Sequence, residues 1–182
     1  MKRDRWAVAA IVLGLGVLQG CTVEDPHVLH EGPSDPTPAS ECAGQVAGRS
    51  LEQSLASVSR LAREHPDVFT GLSVDEDDRA ADVYRVPSAD FDAGVCGAAG
   101  KGVTLRLYDT DVNRGELEAL AGRVSADMHR WDGTFELREV GVDERGWVHV
   151  GVDDPRAARE VVVGEFGGEH IRVVEVEEAS AD

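Results

Sequence analysis

Asp109, Asp111 and Asn113 stand at alternate positions in the run DTDVN. That is the spacing with which the first donors of a calcium loop converge on one ion. A complete loop also needs glycine at its sixth position and an acid at its twelfth. Here those positions hold Arg114 and Leu120. Helix capping accounts for Asp111 and Asn113 without a metal. VDEDDRAAD (74–82) crowds five acids into one short stretch, which reads as a solvated hairpin tip. His27, His30 and Glu31 form a loose trio of metal-ligand types, but in a proline-rich segment that holds no geometry. His65 and His129 suit helix C-termini, where the backbone dipole favours a cation. His149 falls on the polar face of a strand. Trp131 reads as core, and Trp147, opening a strand at a turn, as partly exposed. No GxSxG is present, and GVCGAAGKG lacks the spacing of a phosphate loop. Carboxylates are too numerous for a general acid/base pair to stand out. The expectation is therefore a non-enzyme: no catalytic residue, no metal ligand set and no cofactor.

The elements that would position these residues are legible. SLEQSLASVSRLAREH places Leu51, Leu55, Val58 and Leu61 on one helical face, and Ser50 with Gln53 makes a capping box. RGELEALAGRVSADMHRW does the same with Leu117, Leu120, Val124 and Met128, capped by Asn113 and Glu116. DPRAAREVVVGEFGG starts on Asp154, carries Pro155 at its first helical position and stops at Gly167-Gly168. Six stretches rich in β-branched and aromatic residues read as strands: 68–74, 82–86, 103–108, 134–142, 146–152 and 170–176. SADFDAGVCGAAGKG is too glycine-rich for a good helix.

The two halves repeat one order: helix, strand, turn, strand, a short helical or irregular stretch, strand. SVDE (73–76) matches GVDE (141–144), and VTLRLY lies 68 residues before IRVVEV. This predicts an internal duplication of an αββ(α)β unit. The fold class is α+β: about six strands in one antiparallel or mixed sheet, helices on one face, and one core shared by both halves.

Charge narrows the partners. The chain has 35 acids and 18 bases, a net charge of −17. Such a balance repels nucleic acid and anionic headgroups. It favours a basic protein or divalent cations. Lys is confined to Lys2 and Lys101, while Arg, Ala, Val, Gly and Asp abound, the bias of a GC-rich genome.

The first twenty residues carry an address. MKRDR is followed by an uncharged, mostly apolar run to Gly20, too short in its apolar part for a span of about 20 residues. It has the form of a secretory signal peptide. Leu18-Gln19-Gly20-Cys21 resembles the lipobox of bacterial lipoproteins. The resemblance implies cleavage before Cys21, a diacylglyceryl group on its thiol, and attachment of the chain to the extracytoplasmic face of the cell membrane. Two acyl chains suffice for stable anchoring. With Cys21 so used, Cys42 and Cys96 remain in an oxidising compartment, which suggests one disulfide. Residues 1–20 are then the signal peptide, 21–41 the lipidated cysteine and a stalk holding four of the seven prolines, 42–178 a single acidic domain and 179–182 a tail. Residues 140–178 also resemble the strand–turn–strand–helix–strand units in pro-regions of secreted actinobacterial trypsin-like proteases, although no protease domain follows here. The combined expectation is an anchored, non-enzymatic lipoprotein whose acidic domain binds another envelope or secreted protein. The alternative is a lipoprotein that binds a cation or a small ligand.

Overall fold

A computed structural model describes residues 37–177. The expected signal peptide, Cys21 with its lipobox-like stretch, most of the expected stalk with His27, His30 and Glu31, and the 179–182 tail lie outside the described residues.

Both predicted capping boxes form. Ser50 and Gln53 close the start of α1 (Leu51–Glu64); Asn113 and Glu116 close the start of α3 (Arg114–Ala126). Each box satisfies two backbone donors that a helix start leaves without partners. In α4 (Pro155–Phe166) the Asp154 side chain accepts from the backbone N–H groups of Arg156 and Ala157, and Gly167 ends the helix.

The strands fall into two sheets, not one. β1 (Ser40–Ala43), β2 (Phe69–Asp75), β3 (Ala80–Arg85) and β4 (Thr104–Asp109) lie in the order β1-β4-β3-β2. β5 (Leu137–Val142), β6 (Val148–Val152) and β7 (Ile171–Glu175) lie in the order β5-β6-β7. Both sheets are mixed. An antiparallel hairpin, β2–β3 or β5–β6, is followed by a parallel partner, β4 or β7. The parallel step requires a crossover, and a helix supplies it each time.

The expected shared core is likewise replaced by two. Val58, Phe91, Val95, Leu105 and Leu107 pack in the first half. Leu117, Val124, Val148, Val150 and Val162 pack in the second. Each half brings two helices to one face of its own sheet, enough to cover three or four strands, so the sheets need not merge.

The second helix of the first half corrects the sequence reading. Despite its glycines, α2 (Ala89–Ala98) is helical from its Ser88 cap, and Phe91, Val95 and Ala98 are buried along one side. Gly94 faces Leu61 of α1, whose side chain would lie 3.1 Å from an added Cβ. The glycine lets the two helices approach, and that burial outweighs its poor propensity. α3 ends at Ala126, short of the expected Trp131, because the chain turns to stack Trp131 on Phe135 (5.5 Å) and set it edge-on to Phe166 (5.9 Å). β1 lies partly within the expected stalk; its register places Cys42 opposite Leu105.

The order helix, strand, strand, helix, strand therefore occurs twice. Two irregularities recur at the same spacing of 68 residues. A bulge at Thr70 in β2 is matched by one at Arg138 in β5. A residue with positive φ stands just ahead of the third strand of each half: Gly102, two residues before β4, at 76° and His170, directly before β7, at 58°.

On the face of the first sheet opposite its helices, Tyr84 and Tyr108 stack at 5.0 Å, and Tyr84 is only 3% exposed. Burial raises the Tyr84 phenol pKa above its ordinary value. The neutral phenol is thus favoured in the folded state. Its contribution is complete below the unfolded phenol value, about 10, and is lost as pH rises through the higher folded value. The urea midpoint should fall as pH rises above about 9, and Tyr84→Phe should flatten that fall. Equal slopes for the two proteins would show that Tyr84 does not carry the effect.

Candidate functional site

Three turns meet at His170. The first runs from the end of β4 to α3 and holds Thr110, Asp111 and Val112. The second is the β5–β6 hairpin tip, Asp143 to Trp147. The third joins α4 to β7 and ends on His170 itself.

The β2 bulge starts the assembly. It turns the fully buried Thr70 so that its Oγ1 donates to the Val112 carbonyl (2.6 Å) and lies 2.7 Å from Thr110 Oγ1. This ties β2 to the β4–α3 turn. The hairpin tip then seats on β2: a Cβ added to Gly71 would fall 2.3 Å from the Glu144 Cα. Only glycine permits that approach. Asp143 shapes the tip. Its Oδ1 accepts from the backbone N–H groups of Arg145 and Trp147, both at 2.9 Å, and its Oδ2 lies 2.8 Å from His149 Nε2.

His170 holds a left-handed backbone conformation that non-glycine residues seldom adopt. Its carbonyl accepts from Val148 N–H at 2.7 Å. Its Nδ1 lies 3.1 Å from the Gly146 carbonyl, so Nδ1 carries the proton. Its Nε2 faces Asp111 Oδ1 at 3.7 Å. Clefts open on both sides of the ring. One, about 610 Å³, runs between α3 and the α4–β7 turn over Leu120 and Phe166, with Arg123 and Glu169 at its rim. The other, about 290 Å³, runs between Asp111, Arg145 and Trp147.

Beyond the second cleft lies the face of the second sheet that α3 and α4 do not touch. Cross-strand register places Gly141, His149 and Arg172 in one row and Glu139, Gly151 and Val174 in the next. The Arg172 guanidinium sits 4.1 Å above the half-buried Trp147 ring, a cation–π contact.

The structure separates the calcium-like residues. Asp109 pairs with Arg85, whose guanidinium also takes Asp92 in a bidentate grip at 2.6 and 2.8 Å. Asn113 accepts from Glu116 N–H. Asp111 lines both clefts beside His170, Asp109 only the smaller one, and Asn113 neither. Among the described residues, no group of three His, Cys, Asp or Glu is placed to hold a metal ion. Most of the 74–82 acids form the exposed β2–β3 turn, while Asp82 pairs with Arg106 inside the sheet at 3.2 Å. His65 is the C-cap of α1. His129 lies beyond the end of α3, exposed, 3.4 Å from Asp132. Trp131 packs on the second core and Trp147 is half-buried. Cys42 and Cys96 stand at disulfide distance, with Cα atoms 5.1 Å apart.

His170, Arg172 and Arg85 are the site residues that the sequence reading passed over. A signal for His170 exists: it falls 68 residues after Gly102, which also has positive φ shortly before the third strand of its half. Comparison with protein-family models, with curated proteins and with solved structures finds no match for this chain.

Proposed function

We propose that this protein is a non-enzymatic lipoprotein, anchored through a diacylglyceryl group on Cys21 to the outer face of the cell membrane, and that its domain binds a basic envelope or secreted protein. The αββαβ units are read as copies of one ancestral unit, supported by the matched bulges and left-handed residues. The observation that carries the binding assignment is the Trp147–Arg172 pair on the uncovered sheet face. Trp and Arg dominate the energetics of protein interfaces, and a guanidinium already stacked on the indole has less side-chain freedom to lose on binding. Carboxylates border the pair: Glu139 on the same face, with Asp111 and Glu169 along the cleft. With a chain charge of −17, they favour a basic partner and speed its encounter at low salt.

Two substitutions test the two parts. Cys21→Ala should move the protein from the membrane fraction to the soluble fraction; retention that only detergent releases would remove the anchor. For binding, the full chain in detergent is used to capture envelope and secreted proteins. One partner should be retained saturably and lost at high salt. Trp147→Ala should abolish retention, with a cost of about 2 kcal/mol or more in affinity and little change in Tm. The same retention by wild type and Trp147→Ala would place the interface elsewhere.

A further inference from the structure

A second concavity lies away from the His170 site. It runs between the C-terminal half of α1 and the first turn of α3 and measures about 530 Å³. Ala62, Pro66 and Phe69 form an apolar floor. Arg63 and Arg114 stand at its sides. Among the described residues Arg63 has no hydrogen-bond or ion-pair partner. Arg114 gives its Nε to Glu118 at 2.9 Å, leaving its two terminal nitrogens for other acceptors. Gly115 lines the groove in the first turn of α3, where backbone N–H groups have no intrahelical acceptor. A Cβ added there would meet only Asn113 Oδ1, at 3.3 Å.

Two guanidinium groups and one carboxylate, Glu118, flank this apolar floor on a chain with 35 acids and 18 bases. We propose that this groove binds a single-chain anionic amphiphile, with its carboxylate or phosphate head between Arg63 and Arg114 and its apolar chain along Ala62, Pro66 and Phe69. The volume lies within the range of about 300–1,000 Å³ usual for small-molecule sites. Charge argues for a small ligand over a polyanion. A polyanion meets the repulsion of the whole acidic surface. A single head group within the groove feels mainly charges inside the screening length of about 8–10 Å, and the groove's own lining carries Arg63 and Arg114 against Glu118. Guanidinium suits either head group, since it offers paired donors to both.

Calorimetric titration tests this on the full chain carrying Cys21→Ala, so that no acyl group of its own competes. The probes are dodecanoate, dodecyl phosphate, dodecanol and inorganic phosphate, the amphiphiles kept below their micellar concentrations. One or both anionic amphiphiles should bind saturably with one ligand per chain, and their ratio identifies the preferred head. Dodecanol and inorganic phosphate should each bind at least about tenfold more weakly. Arg63→Gln with Arg114→Gln should weaken the anionic probes by about tenfold or more. Gly115→Leu should block the groove; because its Cβ crowds the capping Asn113 Oδ1 at 3.3 Å, Tm is measured alongside, and a folded variant reads the groove alone. Equal binding of dodecanol would remove the role of the arginines, and equal binding of inorganic phosphate would remove that of the floor. Unchanged affinity in Gly115→Leu would place any binding outside the groove.

Discussion

Arg85→Ala should lower the stability of the domain by about 2–4 kcal/mol, the largest loss expected from removing one charged side chain. Arg85 is 3% exposed at the end of β3. Its guanidinium joins Asp92 in the first turn of α2 to Asp109 at the end of β4. Hydrogen bonds to Asp92 are the main cause that holds its pKa above the ordinary arginine value. Removing one member of a buried ion pair costs about 3–5 kcal/mol when the partner is left dry. Here the side chains of Asp92 and Asp109 are 29% and 58% exposed, so water recovers part of that loss. Arg85→Lys should recover little, because an ammonium lacks the planar fork that grips Asp92 through two nitrogens. Arg85→Met should cost less than Arg85→Ala, since it fills the volume, but it leaves both carboxylates unpaired. Urea denaturation of the three variants measures these differences. A change within about 0.5 kcal/mol for Arg85→Ala would show that the cluster behaves as an ordinary surface pair.

The Arg85 cluster also marks where sequence reading stops. Asp109 looked like a candidate calcium donor because sequence shows spacing but not the partner across the sheet. Arg85 is in register with Asp109 only through the parallel β3–β4 ladder, a contact between residues 24 apart. Local features were legible for the converse reason. Ser50–Gln53, Asn113–Glu116 and Asp154–Pro155 act within one turn of chain, and all three helix starts appear where those residues place them. The alternation of Val148, Val150 and Val152 fixed the inward face of β6. The number of sheets was not legible, since alternation gives each strand a face but no neighbour. Propensity counts Gly94 and Gly97 of α2 as losses, whereas in the fold Gly94 lets α2 pack closely against Leu61. The His170 cleft is hidden because it joins three turns from both halves: Asp109, Asp111 and Trp147 stand out singly in the sequence, but nothing local joins them to His170.

Loss of the Cys42–Cys96 link should cost about 4 kcal/mol, as expected for closing a loop of this length in the unfolded chain. The cysteines are 54 positions apart, and the bond would tie β1 to α2. Alkylation of the folded or denatured chain without reductant should label neither residue; labelling of both would remove the disulfide. The structural effect should be uneven. β1 has only four residues, lies at the edge of the first sheet and precedes the first αββαβ unit. Its backbone ladder to β4 and a few short contacts with α2 are what remain to hold it. In Cys42→Ser with Cys96→Ser, hydrogen exchange should therefore accelerate first at the β4 amides that face β1, before the hairpin β2–β3 opens. The second sheet has its own helices and its own core, so protection at Val148, Val150 and Val152 should persist until global unfolding. Simultaneous loss of protection in both sheets would mean that the halves, despite separate cores, unfold as one unit through the Gly71–Glu144 contact and the Thr70–Val112 bond.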